Sequence, residues 1–413
     1  MKRKGYISLY LNEIASVMRN EFRTIFTDEG VMLILIFAIF IYSNLYGLAY
    51  GSQVLRNVPI GIVDNSKTPA SRALTMSFDS GPNTYVAYEP ADMEEAKRLF
   101  FDREIYGIVC IPEDYARKLA SGSQATVSIY CDASYFLMYR QVFQETVGAL
   151  NQAGAEVELQ RLVAQGINLP QAEAVVQPVI YQSHNLFNPY LGYGTFIMPA
   201  VIMLIIQQTL LLGIGMIGGT WREFDIYSRL TPAGEVRMST LPVVAGKALA
   251  YLTISAVTAA YILSLHYHLY HYPMNGDPLT VAALVLPYLL ACIFLAITLS
   301  TLFSRRESSL LWMLWSSILL LLLSGISFPA DAMPEFLVAA GKVFPSTHAV
   351  SAFIRIQDMG ASFEDVLPEI RALWYMVFIY GGTALVAMHI TLNDRLRAKL
   401  QQKLNVRRRR QKE

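Results

Sequence analysis

The sequence has little charge and almost none of the residue patterns that carry bond chemistry. Asp, Glu, Lys and Arg make up 16% of its residues, against 54% hydrophobic, which is too apolar for an ordinary soluble chain. The net charge of +1 by itself says nothing about nucleic acid, and no nucleic-acid partner is expected. There is no nucleophile elbow, no His or Cys set at metal-ligand spacing and no Gly-rich phosphate loop. The Gly-Lys pairs are Gly246-Lys247 and Gly341-Lys342. Neither has the preceding Gly or the following Ser or Thr of a P-loop. If the chain performs driven transport, the energy must come from an ion gradient or from another subunit. Cysteine is scarce as well. Of three cysteines, Cys110 and Cys131 fall in separate strand-like runs and Cys292 in an apolar run. The sequence leaves a Cys110–Cys131 bridge open, with two buried free thiols the favoured reading.

What is present is a set of long apolar runs. A hydrocarbon core needs about 20 apolar residues per helix. Val31–Tyr50, Thr195–Ile217, Val244–Tyr267, Leu279–Phe303, Leu310–Phe328 and Leu373–Leu392 each meet that length. Pro287 lies inside the fourth run and is tolerated if neighbouring helices satisfy the freed carbonyl. Between the first run and the second lies a polar stretch of roughly 140 residues, the span of a small domain. Before the first run, residues 6–28 read as an amphipathic helix. Ile14, Val17, Met18, Phe22, Ile25 and Phe26 recur at helical spacing, and Glu13, Arg19, Asn20 and Arg23 point elsewhere. Such a helix can lie in the membrane interface or pack on protein, and it can do both. No signal-peptide pattern precedes the first run, which is expected to remain as an uncleaved anchor.

Basic residues cluster at Lys2–Lys4, Arg19 and Arg23; at Arg222, Arg229 and Arg237; at Arg305 and Arg306; and from Arg395 to Lys412. The loop His271–Pro278 has no Lys or Arg, and Pro329–Pro368 has only Lys342 and Arg355. The positive-inside rule then puts both termini in the cytoplasm and the long insertion outside, which six spans satisfy. The expected layout is a cytoplasmic helix at 1–30, a first span at 31–50 and an extracytoplasmic domain at 51–190. Spans two to six follow at 191–393, with a cytoplasmic loop at 218–243, a semi-apolar segment at 329–368 and a basic tail at 394–413.

The insertion reads as α+β with a mixed sheet. Strands are expected at Val58–Val63, Tyr85–Tyr88, Tyr106–Ile111 and Thr126–Tyr130. Helices are expected at Pro69–Phe78, Pro90–Asp102, Pro112–Leu119 and Tyr135–Gln165, and Val175–Asn185 is expected as a returning strand.

His266, His268 and His271 suggest a metal site, but on a helix they fall at about 0°, 200° and 140° and do not converge. With Tyr267, Tyr270 and Tyr272 between them they read as an interfacial aromatic belt. The spans read as nearly free of ionisable residues, which argues against a proton- or sodium-coupled carrier. Gln207 and Gln208 are the polar exceptions. They are candidates for a substrate path or for interhelical bonding. Trp221-Arg222-Glu223, directly after the second run, is either a handle for a partner or a solvated loop. From Ser324 to Pro334, and on to Pro345-Ser346-Thr347, prolines interrupt a semi-apolar stretch and suggest short broken helices. Gly325, Phe328, Pro329 and Pro334 are the residues of a candidate outer gate.

At this point the residues resemble the ABC type-2 permeases, in the multidrug-exporter-like branch with a large periplasmic insertion. Arg56 to Asp64 with Thr68-Pro69-Ala70-Ser71-Arg72 is similar to that family's opening strand and helix. Tyr106 to Pro112 with Asp114-Tyr115 resembles its second strand element. Asn188-Pro189, Ala245-Gly246-Lys247, Ser324 to Pro334 and Pro345 to Thr347 match further elements in order. In the cytoplasmic loop only Arg222-Glu223 and Leu230-Thr231-Pro232 follow the family pattern.

The resemblance implies an α-helical membrane protein of six spans, the ABC type-2 exporter fold, with the α+β domain between the first and second helices. It implies a permease of the bacterial inner membrane, without its own ATPase site. ATP and Mg would sit on a separate ATP-binding subunit. A second copy or a paralogue would complete a dimer, and a periplasmic adaptor (membrane fusion) protein with an outer-membrane channel would be further partners. Trp221, Arg222 and Glu223 would couple to the ATPase. A membrane-anchored ligand sensor and a secondary carrier are the rival readings. The substrate and the homo- or heteromeric state stay open.

Overall fold

The computed structural model describes residues 2–224 and 240–393. Leu230-Thr231-Pro232 and the basic tail at 394–413 lie outside these residues. The chain divides into two units, Met1–Gln53 with Leu186–Glu413, and Val54–Asn185.

The first unit is helical. Among the described residues, six helices are long and apolar enough to cross a membrane: Glu29–Ala49, Tyr193–Glu223, Thr240–Leu269, Pro278–Ser300, Arg306–Leu323 and Leu367–Leu392. They correspond to the six apolar runs. The second span is the hub, with 78% of its most apolar window buried inside the protein. Small residues make that possible. A Cβ at Gly213 would lie 2.4 Å from Leu35 of the first span, and one at Gly218 would lie 2.5 Å from Ser300 of the fourth. At 31 residues this helix is about 46 Å long, well beyond a hydrocarbon core of about 30 Å. That is why it continues past the expected end at Ile217.

Pro287 stays inside the fourth helix, and the adjacent Tyr288 hydroxyl donates to the Met203 carbonyl of the second span. The fifth helix ends at Leu323, short of the expected Phe328. Gly325 takes a φ of +82°, which L side chains rarely adopt and which stops the helix.

The N-terminal helix, Lys2–Thr27, buries Val17, Glu21 and Ile25, one residue per turn along a single stripe. It packs on the third span at Gly246, where a Cβ would stand 2.8 Å from the Ile14 carbonyl oxygen and from Val17. Asp28 then caps the first span, its Oδ1 accepting from the Gly30 and Val31 amides at 3.1 Å each.

The second unit carries a four-stranded sheet in the order β2-β1-β3-β4. The strands are β1 (Val58–Asp64), β2 (Thr84–Tyr88), β3 (Gly107–Ile111) and β4 (Ser128–Cys131). β1 is parallel to β2 and β3, while β4 runs antiparallel to β3. Helices Pro69–Asp79 and Phe136–Ala164 cover one face, over Val58, Ile60, Ile62, Val109 and Ile111. Helix Met93–Phe101 covers the other, over Val63, Ile105 and Ile108.

The Asp64-to-Ser71 motif is a folding device. Asp64 Oδ1 accepts from the Ser66 and Lys67 amides at 2.9 and 3.0 Å, and its Oδ2 accepts from Ser71 Oγ at 2.6 Å. Thr68 and Ser71 complete a capping box at the head of helix Pro69–Asp79.

Two expectations are corrected by the structure, the returning strand and the aromatic belt, while the favoured reading of two free thiols is met, with both half-buried rather than fully buried. Val175–Asn185 does not form a strand. Asn168 caps a helix over Leu169–Val176 by accepting from the Gln171 amide, with Pro170 in its first turn. Pro178 follows this helix with no amide to give a ladder. Cys110 and Cys131 are both free, and the strand register explains why. Cys110 lies opposite Ser128 and Cys131 opposite Gly107, three ladder positions or about 10 Å apart. Burial pushes both thiols up, Cys131 to about 11. Tyr267 and Tyr272 are buried rather than set in an interfacial belt.

Candidate functional site

Two arginine-bearing helix ends and a buried Lys–Glu pair meet at one end of the helical unit, and each is tied to a different neighbour. Trp221, Arg222 and Glu223 are the last residues of the second span. The Trp221 ring is 5% exposed, with Lys247 Nζ of the third span 3.9 Å from its centroid. Lys247 Nζ is also 2.6 Å from Glu21 Oε1 of the N-terminal helix, and Tyr251 donates its hydroxyl to that same oxygen. The two charged side chains are 5% and 0% exposed. Two ions out of water are tolerated only when paired and hydrogen-bonded in this way.

Arg222 Nη1 donates to the Thr301 carbonyl at the end of the fourth span. Of the three, Glu223 alone is exposed. At the head of the fifth span, Arg306 makes a two-pronged pair with Asp28, at 2.5 and 2.7 Å. That guanidinium holds the Asp28 carboxyl below its usual range, helped by the two capping amides and opposed by burial.

The buried Lys247–Glu21 pair corrects the expectation that the membrane helices lack buried ionisable residues. The signal for it was in the sequence. Lys247 lies inside the third apolar run, and Glu21 falls on the same helical stripe as Val17 and Ile25. A charge on the apolar stripe of an amphipathic helix demands a buried partner.

Gln207, in mid-span, is fully buried. Its Oε1 accepts from the Ser346 amide at 2.9 Å and from Cys292 Sγ at 3.7 Å. Ser346 lies in the first turn of helix Pro345–Gln357, where amides have no partner within the helix. Gln207 therefore caps that helix. Gln208 differs: both polar atoms of its amide are buried without a partner among the described residues.

At the opposite end, Gly325 turns the chain out of the fifth span. Phe328 is about half exposed. Pro329 precedes a 3-10 turn at Ala330–Ala332, and Pro334 precedes helix Glu335–Gly341. That helix and Pro345–Gln357 form a pair bent by 89°, consistent with the expected broken helices. Thr347 Oγ1 pins the bend by donating to the Gly341 carbonyl at 2.8 Å. A cavity of about 460 Å³ lies behind it, walled by Gly325, Ile326, Met333, Lys342, His348 and Arg355. Arg355 pairs with Glu369 at 2.8 Å.

The hairpin ends on Asp358. Its carbonyl accepts from Asn275 Nδ2 at 2.8 Å, and the Gln357 carbonyl accepts from the Asn275 amide at 3.0 Å. Asp358 is 8% exposed, its Oδ1 has no partner among the described residues, and burial pushes the carboxyl up to about 7. His266 is buried nearby among Tyr267, Tyr270 and Tyr272, its Nε2 2.8 Å from the Ser43 carbonyl. His268 and His271 are exposed. Sequence reasoning passed over Asp358 because a single carboxylate in a loop carries no pattern.

The comparisons with known proteins agree with this architecture. Residues 30–386 match the family described as ABC-2 family transporter protein. The chain is 22% identical over 374 residues to "Probable multidrug ABC transporter permease YbhR" of Escherichia coli (strain K12), covering 90% of this chain and 96% of that protein. The relative of the same description from Escherichia coli O157:H7 matches to the same extent. A helical membrane protein with six apolar spans, matched from the head of its first span to the last turns of its sixth, belongs to the ABC-2 transporter family.

Proposed function

We propose that the chain is the permease subunit of an ATP-driven exporter of drugs or other amphiphiles, working with a separate ATP-binding subunit. The observation that carries this reading is the family match over nearly all of the helical unit, joined to a sequence with no P-loop. Lys247, in one of the two Gly-Lys pairs, is committed to Glu21 and Trp221, so it is no phosphate-binding lysine. The relatives' printed description as multidrug permeases supports the substrate class. ATP and Mg belong to the partner.

The basic end faces the cytoplasm under the positive-inside rule, and the unit Val54–Asn185 then faces the periplasm. Glu223 is the exposed contact for the ATP-binding subunit. Displacement of its helix end is passed to the N-terminal helix and third span through Trp221–Lys247–Glu21, and to the fourth span through Arg222–Thr301. Asp28–Arg306 ties the first span to the fifth. Nucleotide-driven closure of the partner acts by favouring one of two arrangements of these helices. Gln208, with its unsatisfied amide, lines the substrate path, and the segment from Gly325 to Pro334 gates the exit. The permease works as a dimer with a second copy or a paralogue. A periplasmic adaptor and an outer-membrane channel take the substrate onward.

The buried ion pair removes one argument against a secondary carrier, so the deciding test is coupling. Charge reversal at Arg222 and Glu223 together lowers substrate-stimulated ATP hydrolysis of the complex while the chain still inserts in the membrane. Glu223→Lys alone separates the exposed contact from the Arg222–Thr301 tie. Unchanged stimulation in both variants contradicts the assignment.

A further inference from the structure

We propose that the groove beside the N-terminal helix binds the phosphate headgroup of an anionic phospholipid. The inference rests on the membrane reading of the chain, but it does not depend on the ATP-binding subunit.

The helix divides into four arcs at about 100° per residue. With Val17 at zero, Glu21 and Ile25 fall at about 40° and 80°, the buried arc against the third span. Leu11, Phe22 and Phe26 fall at about 120°, 140° and 180°. Leu11 is 59% exposed and Phe26 55%, while Phe22 is half-buried against the core of the helical unit and keeps one ring face stacked on Phe26. Arg19 and Arg23 come next, at about 200° and 240°, followed by Ser16 and Asn20.

Both arginines are exposed, and among the described residues neither has a carboxylate partner. Lys247 and Glu21 beneath them neutralise each other, so the two guanidinium charges stand uncompensated. They line a groove of about 260 Å³ whose opposite wall is Trp221 and Val243.

An apolar arc edged by two unpaired arginines one turn apart matches a molecule with acyl chains and a phosphate. The chains would lie along Leu11, Phe22 and Phe26 at the level of the interface, and the phosphate would reach both guanidinium groups. A free phosphate meets the same arginines but leaves the apolar arc bare, and the lipid is therefore the favoured source.

The test uses the purified full-length chain in detergent and follows its thermal unfolding midpoint. Dioctanoyl phosphatidylglycerol, dioctanoyl phosphatidylcholine and inorganic phosphate are titrated separately. Phosphatidylglycerol is expected to raise the midpoint in a saturable way, because it binds the folded state alone. The other two are expected to leave it in place. Each arginine contributes about fivefold to affinity, so R19Q/R23Q weakens the response about thirtyfold. R19K/R23K keeps most of it, since charge is conserved. Neither pair of substitutions removes a buried contact, and the midpoint without lipid should match the native chain. An equal phosphatidylglycerol response in R19Q/R23Q, or none in the native chain, overturns the proposal. A shift produced by inorganic phosphate alone overturns the lipid as the source. If R19Q/R23Q instead loses a copurifying ATPase and no chain responds to phosphatidylglycerol, the arginines serve a protein contact.

Discussion

At the scale of single residues, the buried Lys247–Glu21 pair makes the sharpest demand on stability. Removing one partner leaves the other charge buried without compensation, so Lys247→Met is expected to destabilise the chain by about 3–5 kcal/mol. Glu21→Leu combined with Lys247→Met should recover most of that loss, because an apolar pair of similar volume has no ion to desolvate. Denaturation of the native chain and the two variants in one detergent checks both outcomes, and a double variant no better than the single would contradict them. Asp358 and Asp28 respond to pH with opposite signs. Burial pushes the Asp358 carboxyl up to about 7, while an unfolded Asp ionises near pH 3.9. The folded state therefore loses ground as pH rises from about 4 to about 7, and the full penalty stands above that. Asp358→Asn should raise the unfolding midpoint at pH 8 and change it little near pH 4. Arg306 and the capping amides hold Asp28 low. Its contribution is complete above about pH 3.9 and fades as pH falls through the lower folded value. A thermal-shift series from pH 3 to pH 9 on the native chain, Asp358→Asn and Asp28→Asn separates the two.

Elements were far more legible in the sequence than sites. Six apolar runs gave six helices because length and hydropathy are enough to place a span. The strands appeared where β-branched runs stood between turn residues. What failed needed information that lies outside a local window. The end of the fifth span depends on the left-handed backbone at Gly325. The helix at Leu169–Val176 depends on a single cap, Asn168, which outweighed the β-branched run after it. The partners of Gln207 and Lys247 are distant in sequence, and only the fold brings Ser346 and Glu21 to them. Gly246 is the element-scale test of the N-terminal helix. A Leu there would drive into the Ile14 carbonyl and Val17, and overpacking of this kind costs about 1–3 kcal/mol. Gly246→Leu should release the helix and let its backbone unfold enough for trypsin to cut after the already exposed Arg19 and Arg23; a native digestion pattern would contradict the close approach. In the second unit, the β3–β4 register keeps Cys110 and Cys131 apart. Non-reducing alkylation of the denatured chain should label both thiols, and protection of the pair would refute the register.

At the scale of the whole molecule, three ties converge on one end of the helical unit: Lys247 with Glu21 and Trp221, Arg222 with Thr301, and Arg306 with Asp28. Together they connect the N-terminal helix and the first five spans. A force applied at the end of the second span therefore reaches most of the bundle. That is the mechanical property a permease needs if its energy comes from another subunit. The hairpin at the other end is tied to the second span through Gln207 and to the loop after the third through Asn275, so hairpin and bundle are joined by direct hydrogen bonds. The claim on which this rests is that nucleotide binds a partner and not this chain. Photolabelling of the tagged, purified complex with azido-ATP tests it most directly. The account predicts a labelled second polypeptide, an unlabelled permease chain and loss of substrate-stimulated hydrolysis in Glu223→Lys. Label on the permease chain itself, or hydrolysis by that chain purified alone, would contradict it.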